Sequence, residues 1–551
     1  LADTLRILPL GGLGEVGRNL TVLEYGRSLV AVDCGLMFPE SDMLGVDLVV
    51  PNFAYLQEHA DRMLAYLITH GHEDHVGALP YVLPAVPAPV YATRLTRGLI
   101  EVKLKEYGLL DSAELHTITT EDVLQLGPFR VEPFRVSHSI PDAVGFAIDT
   151  PLGTVLHTGE YKFDLTPVDG RTTDIHRLAE LGRRGVLVLL SDSTNAERPG
   201  HTPSEAVVRE ALEQVFARAE GRILVATFAS NISRVQEVIN IARMFGRSVG
   251  MVGRSMENYT TMARQLGYLR ADEGRIVSVA ALDGLPDREV VICCTGSQGE
   301  PTSALVRMAN DDHRHVKLKA GDTVVLSATP IPGNEELVHR TLDNLFRRGA
   351  NVVYQALKPV HVSGHGYRED LKLMLRLACP RYFVPIGGEY RMLVLHGQLA
   401  REIGMPAEDV FVIENGQAIA FDGQGARLAE QVPGGYVYVD GLGVGDVGQG
   451  LLRDRHHLAG DGFVVVVIAL DSRSGALARE SEVLTRGFVQ PGESAELMEE
   501  LREVIDQIVQ GLQGAQRARD TIHDEIRDGL LQRIYHRTGR RPMVLPLILE
   551  V

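Results

Sequence analysis

Short apolar runs recur along the first 200 residues, and several of them stop on a histidine or a carboxylate. Residues 5–10, 19–25 and 28–33 alternate in the manner of half-buried strands, and the third ends at Asp33. The run 63–69 leads straight into HGHEDH at 70–75. Strands are expected at 129–136, 144–149 and 154–157; the first leads to His138 and the third to His157-Thr158-Gly159-Glu160. A further apolar run, 186–190, ends on Ser191-Asp192-Ser193. The repetition points to polar side chains converging on one edge of a sheet. The glycine-rich GGLGEVG (11–17) feeds a strand rather than a helix, so it reads as a β-turn and not as a dinucleotide loop.

Near residue 200 the period changes. Thr202-Pro203-Ser204-Glu205 has the form of a helix start with Thr202 as N-cap. Val207, Val208, Leu212, Val215 and Phe216 then share a helical face, and Gly221 closes the helix. Strands and helices alternate with short loops as far as residue 357, which predicts a parallel, doubly wound sheet inserted into the first module. The earlier style returns with HVSGHG (361–366), a helix at 369–378, a strand at 382–386 and Gly387-Gly388-Glu389. After a glycine-rich joint at 440–450 come an apolar strand (463–470), helices at 494–512 and 516–538, and an apolar end. The chain thus divides into 1–200 and 358–440 as one split domain, 201–357 as its insert, a linker at 441–455, and a small α/β domain at 456–551 for assembly or substrate guidance.

The 551 residues are 45% hydrophobic, with 56 glycines, enough for several cores in an α/β protein. No uninterrupted apolar stretch of about 18 residues exists, so no membrane span is expected. The start lacks a signal-peptide pattern, and Leu1 reads as a trimmed start. Four cysteines make no disulfide framework, which points to a reducing cytoplasm. The net charge of −17 argues mildly against a nucleic-acid partner, although a local basic channel is compatible with it.

HGHEDH gathers His70, His72, Asp74 and His75. Alternation lets both His70 and His72 face one side of an extended backbone, while Asp74 and His75 turn toward a second ion. Imidazole and carboxylate ligands suit Zn²⁺ or Mn²⁺. Two such ions can clamp the attacking and leaving oxygens of a phosphodiester. Asp33 would orient a ligand, Asp74 could align the attacking hydroxide, and His361 and His365 are candidates for gripping phosphate or protonating the leaving oxygen.

HGHEDH, with Asp33, His138 and the acid at 160, resembles the metallo-β-lactamase superfamily. The inserted module, Asp192, HVSGHG and the block at 384–390 are similar to the β-CASP nucleases. GGLGEVGRN (11–19), TFASNISR (227–234), VGRSM (252–256), TGSQGEP (295–301) and PIPGNE (330–335) resemble bacterial ribonuclease J over essentially the whole chain. The resemblance implies an αββα sandwich with two divalent ions at its edge, and a β-CASP domain covering the site and forming an RNA channel. It implies a 5′-to-3′ exoribonuclease with endonuclease activity in RNA decay and maturation, acting on single-stranded, 5′-monophosphorylated RNA. It also implies a dimer or higher assembly, with partners in RNA-degradation complexes. In that pattern His70, His72 and His138 hold one ion, Asp74 and His75 the other, and the acid at 160 bridges them. Asp192 joins the catalytic set, and Ser230, Asn231, Ser363, Gly364, His361 and His365 are placed at the substrate.

Two positions depart from the pattern. Glu160 stands where it has aspartate, and Gly387 where it has a ligand histidine. One added methylene shifts a carboxylate by roughly 1.5 Å, and misalignment of about 1 Å can cost on the order of 100-fold in rate. Gly387 offers no ligand atom on a side chain. The expectation is therefore a metal-dependent ribonuclease with a weakened second ion site. The alternative is a non-catalytic RNA-binding or regulatory subunit that partners an active paralogue.

Overall fold

The computed structural model describes residues 4–331, 333–441, 443–472, 474, 476–489, 495–512 and 519–551. Leu1, Pro332 of PIPGNE, and positions 494 and 516–518 of the expected tail helices lie outside the described residues. The chain forms two compact units, one of residues 1–38 and 48–437, the other of 39–47 and 438–551.

The first unit contains two facing mixed sheets. One has eight strands and runs, in spatial order, 425–431, 417–422, 5–11, 20–25, 28–32, 63–67, 90–93, 115–118. The other has six, in the order 380–386, 186–192, 153–157, 144–150, 129–135, 124–126. Inward side chains of both sheets, among them Leu5, Ile7, Val30 and Leu67 from one and Phe129, Phe146, Val188 and Leu190 from the other, form a single buried cluster. The outer face of the six-stranded sheet is covered by helices Ile175–Arg184, Arg368–Ala378 and Tyr390–Glu402, through Leu178, Leu181, Leu371, Leu375 and Leu399. This is the metallo-β-lactamase sandwich with its inserted α/β module.

The insert carries a six-stranded sheet whose pairs are all parallel, with Ile223–Ala226 and Val290–Cys294 at its centre. Alternate residues of one strand serve opposite faces. Ile223 and Val225 pack with helix Ile232–Met244, while Leu224 and Ala226 pack with Leu305 and Leu345. Burial on both faces is why these strands read as continuous apolar runs.

The helix expected to begin at Thr202 begins later. It runs Glu205–Arg218 with Ser204 as N-cap, its hydroxyl accepting the Ala206 N–H. Thr202 is drawn elsewhere: its N–H donates to Asp370 Oδ2 at 2.8 Å and its hydroxyl to the His365 carbonyl at 2.7 Å. Tertiary partners outbid the local capping box. In the second unit, Phe463–Leu470 pairs with Glu482–Arg486 and Met543–Glu550. Helices Ala495–Leu512 and Arg519–Thr538 pack on this sheet through residues such as Leu501, Ile505 and Leu530. A helix, Gln449–Asp461, occupies part of the segment read as a linker. Among the described residues no helix is long and apolar enough to cross a membrane.

A buried ion network ties the insert to the sandwich. Glu205 receives Arg234 Nη2 at 2.5 Å and Lys162 Nζ at 3.2 Å, and Arg234 also donates to the Val360 carbonyl at 2.9 Å. Burial raises the Glu205 carboxyl, but the charges of Arg234 and Lys162 outweigh it and hold the pKa down to about 2. A carboxylate depressed in the folded state stabilises the fold above its ordinary range, and that contribution is lost as pH falls toward about 2. Removing one partner of a buried pair strands the other. Glu205→Gln is expected to cost about 3 kcal/mol in urea unfolding at neutral pH, with the difference from the unaltered chain shrinking as pH drops below the ordinary carboxylate range.

Candidate metal centre

The centre is assembled at strand tips. Ser28–Val32 and Met63–Leu67 are parallel, with Val32 opposite Leu67, so Asp33 and the HGHEDH segment emerge side by side. In the other sheet Gly153–His157, Val186–Asp192 and Pro380–Ile386 are parallel, with Leu190 opposite Val384 and Asp192 opposite Ile386. Glu160, Asp192 and Gly387 therefore leave one edge together. His138 follows the strand Phe129–Arg135 and arrives at the same place.

His70 Nε2 lies 3.0 Å from His72 Nδ1, and His138 Nε2 lies 3.2 Å from the same atom. Glu160 Oε2 stands 3.3 Å from His70 Nε2 and 3.1 Å from His138 Nε2. Around a tetrahedral ion with bonds of about 2.0–2.1 Å, adjacent ligand atoms stand roughly 3.3 Å apart. Four of the six distances among these atoms have that spacing and all lie within 4.8 Å, so the donor set fits a divalent ion. The outer ring nitrogens are held as well. His138 Nδ1 donates to the Gly364 carbonyl at 2.9 Å, and His70 Nδ1 meets the Thr69 hydroxyl at 3.0 Å. Burial, together with the other imidazoles, pushes His72 well below its usual range; burial and His75 bring His70 down to about 4. Neutral rings present the lone pairs that metal binding requires.

A second group comprises Asp74, His75 and Glu160. Glu160 Oε1 is 3.1 Å from His75 Nε2, and Asp74 Oδ2 is 3.5 Å from it. Glu160 thus presents one oxygen to each group, and its extra methylene does not carry the carboxylate away from either. Asp33, at φ 64°, accepts His75 Nδ1–H at 2.7 Å and the Thr69 N–H at 2.8 Å. Burial acts to lower His75, but the charges of Glu160, Asp33 and Asp74 outweigh it and raise the ring well above its ordinary value. Three carboxylates around one imidazole form a site that calls for a cation. The Asn19 amide, 3.0 Å from His75 Nε2 and donating to the Asp74 carbonyl, is a neighbour that the motif reading missed.

Gly387 sits beside this second group at φ +69°, its N–H donating to the Gly12 carbonyl. A Cβ added there would stand 3.1 Å from Asp192 Oδ1. The adjoining cavity, lined by Asn19, His75, Glu160 and Asp192, is about 20 Å³, the scale of one water.

The HVSGHG loop closes the other side. Asp192 Oδ2 accepts His365 Nδ1–H at 2.8 Å, which turns His365 Nε2 toward Glu160 Oε2 at 3.8 Å. Burial would lower His365, but the Asp192 and Glu160 charges push it up to about 9. Ser363 Oγ accepts from Asn195 Nδ2 at 2.8 Å and from the His365 N–H. A Cβ on Gly364 would approach the His138 ring to 2.6 Å, so only glycine lets the loop lie on that ring. His361 is placed differently. Burial, with Arg234 adding to it, brings the ring down to about 3, and among the described residues its Nδ1 has no hydrogen-bond partner. Asn231 caps helix Ile232–Met244 by accepting the Arg234 N–H, and Ser230 precedes it in the turn. Thr69 and Asn195 also escaped sequence reading. Of these only Thr69 carried a signal, its position directly before the first histidine.

The metallo-beta-lactamase superfamily profile matches residues 13–218, and that of the ribonuclease J beta-CASP domain residues 220–345. The Zn-dependent metallo-hydrolase RNA specificity domain matches 349–412, and the ribonuclease J C-terminal domain 450–551. Ribonuclease J2 of Bacillus subtilis is 44% identical over 100% of this chain and 99% of its own length. The chain belongs to the ribonuclease J family. Ribonuclease J of Thermus thermophilus is 43% identical over 100% of the chain and 96% of that protein. Ribonuclease J 1 of Streptococcus pyogenes is 41% identical over 98% and 97%. A crystal structure of a protein of unknown function from Enterococcus faecalis shares the fold, with a TM-score of 0.55 at 15% identity over 76% of this chain and 100% of that one. The chain is thus a family hydrolase with a metallo-β-lactamase domain and a His/Asp/Glu cluster able to hold metal.

Two substitutions test the supports of this cluster. Asp33→Asn keeps the shape but weakens the hold on His75, and is expected to lower divalent-ion affinity about 10–100-fold by calorimetry. Gly364→Ala drives a methyl into the His138 ring and is expected to cost an ion at the histidine trio, read as metal content after dialysis, while thermal unfolding stays cooperative.

Proposed function

We propose that the chain is a divalent-metal-dependent RNA phosphodiesterase with one strong and one weak ion position. The observation that carries this reading is the convergence of His70 Nε2, His72 Nδ1, His138 Nε2 and Glu160 Oε2 at 3.0–3.3 Å between neighbours. These four residues would hold the first Zn²⁺ or Mn²⁺. Asp74, His75 and Glu160 would hold the second, with no imidazole from position 387. Divalent ions bound there would acidify an attacking water and offset charge on the phosphate.

The chain's own groups do the rest. Asp33 fixes the His75 ring, and the Gly364 carbonyl fixes His138. Asp192 holds the His365 Nδ1 proton, so that Nε2 faces the cluster and can donate to a phosphate or leaving oxygen. Asp74 aligns the attacking oxygen. Ser230, Asn231, Ser363 and His361 contact the strand near its 5′ end. The substrate is single-stranded RNA, preferably 5′-monophosphorylated, cut 5′-to-3′ with an endonucleolytic mode, in cytoplasmic RNA decay and maturation by a dimer or larger assembly. The sandwich, insert and tail divide as 1–200 with 358–440, 201–357, and 456–551.

Gly387 favours a second reading, a non-catalytic RNA-binding subunit beside an active paralogue. One experiment separates the two. Metal content and Mn²⁺-dependent decay of a 5′-monophosphorylated RNA are compared between this chain and a Glu160→Asp, Gly387→His variant. The expected result is one tightly held ion in the chain and two in the variant, with decay on the order of 100-fold faster in the variant. Two tight ions and equal rates would remove the weak-site proposal. If both proteins bind RNA and neither cuts it, the binding-subunit reading replaces the enzyme.

A further inference from the structure

A groove of about 840 Å³ runs along helix Ile232–Met244, away from the metal centre. Arg94, Arg171, Arg243, Arg270 and Arg275 line it, against only two carboxylates, Asp169 and Asp272. That balance is the reverse of a chain whose net charge is −17. The arginines come from four segments, Arg270 and Arg275 sharing one loop, and several are weakly engaged. Arg243 stands 3.9 Å from Asp272 and is 58% exposed; Arg171 meets Asp142 at 3.2 Å and is 60% exposed. The Arg94 and Arg270 guanidinium groups make no hydrogen bond or ion pair among the described residues. Unpaired cations gathered in a groove repel one another, and a bound polyanion relieves that cost.

The floor offers more than charge. Gln236 and Asn240, one turn apart on the helix and bonded to each other at 2.8 Å, line the groove; Gln236 also holds the Arg270 backbone, and the Tyr268 ring adds an aromatic surface beside the guanidinium groups. A basic track with an aromatic face is the general form of a single-strand site. From Ser233 to Arg243 the helix rises roughly 15 Å at about 1.5 Å per residue, longer than one nucleotide at roughly 3.4 Å per stacked base. Toward the metal centre the groove narrows to a crevice of about 20 Å³, which shares Pro141, Asp169, Arg171 and Ser233 with it and reaches His138. That crevice is of water size, so a strand lying in the groove is not threaded through it to the histidines.

We infer that the groove along Ile232–Met244 is a holding site for a few nucleotides of single-stranded RNA, separate from the reaction centre. It rests on the reading of the chain as an RNA phosphodiesterase. Free nucleoside monophosphate shares the recognising chemistry, and the length of the groove favours the strand.

The test uses the full chain with Mn²⁺, a labelled single-stranded RNA with hydrolysis-resistant linkages, and AMP as the second probe. Binding is followed by anisotropy across a salt series for the unaltered chain, Arg243→Ala/Arg270→Ala, and Arg243→Lys/Arg270→Lys. Each lost phosphate contact lowers the slope of log K against log salt by about 0.7 for single strands. The alanine pair is therefore expected to lower the slope by about 1.4 and the lysine pair to restore it, with melting temperatures alike. An unchanged slope in the alanine pair overturns the inference. So does AMP binding that is lost in the alanine pair while RNA binding is not. If the unaltered chain binds no RNA, the phosphodiesterase reading itself fails, and with it this one.

Discussion

A carboxylate taken out of water needs positive charge or donors around it, and Glu160 is surrounded by imidazole. His70, His75 and His138 stand within 3.3 Å of its oxygens, and His365 within 3.8 Å. Burial alone would raise its pKa, yet the surrounding histidines hold it well below the usual range. Each of those rings is in turn fixed from behind, by Thr69, Asp33, the Gly364 carbonyl and Asp192. The centre is thus two shells of groups that fix one another, and the parallel strands of both sheets bring the shells together.

The two halves of the centre are not equivalent. The histidine trio is complete at ligand spacing, whereas the group around His75 leans on carboxylates and has a glycine where the family pattern has a ring. Gly387 also adopts a left-handed backbone in which a Cβ would press on Asp192. That carboxylate already orients His365 and caps the Thr194 N–H. Position 387 is therefore coupled, through Asp192, to His365 as well as lying beside the group around His75. Gly364 is constrained in a different way. Its carbonyl serves His138, and its missing side chain is what lets the loop approach closely enough to do so.

Net charge says little about partners in a chain of this size. With the Debye length near 8–10 Å at physiological salt, what an approaching strand feels is the local field. An arginine-lined groove and a carboxylate-rich cluster able to hold metal coexist here on one acidic chain. The network of Glu205, Arg234 and Lys162 matters for the same reason. It buries opposite charges where the insert meets the sandwich, and so fixes the helix that floors the groove.

Much was legible from local pattern. Period-two runs located the strands, the β-α alternation identified a parallel insert, and HGHEDH with its preceding strand marked residues that gather at the centre. Phe463–Leu470 appears at the residues expected. These features depend on neighbours in sequence, so sequence carries them. What the chain alone could not give were relations between distant segments. The capping box at Thr202 looked sound locally, yet Asp370 and His365 took Thr202, and Ser204 caps the helix instead. The longer reach of Glu160 suggested misplacement, but whether an added methylene matters depends on where its backbone stands relative to two other strands. Gly364 on His138, Asn19 beside His75 and five arginines from four segments are likewise products of packing. Hydrophobic periodicity determined the elements and the motif their chemistry; strand register and close approach across hundreds of residues decided which groups meet.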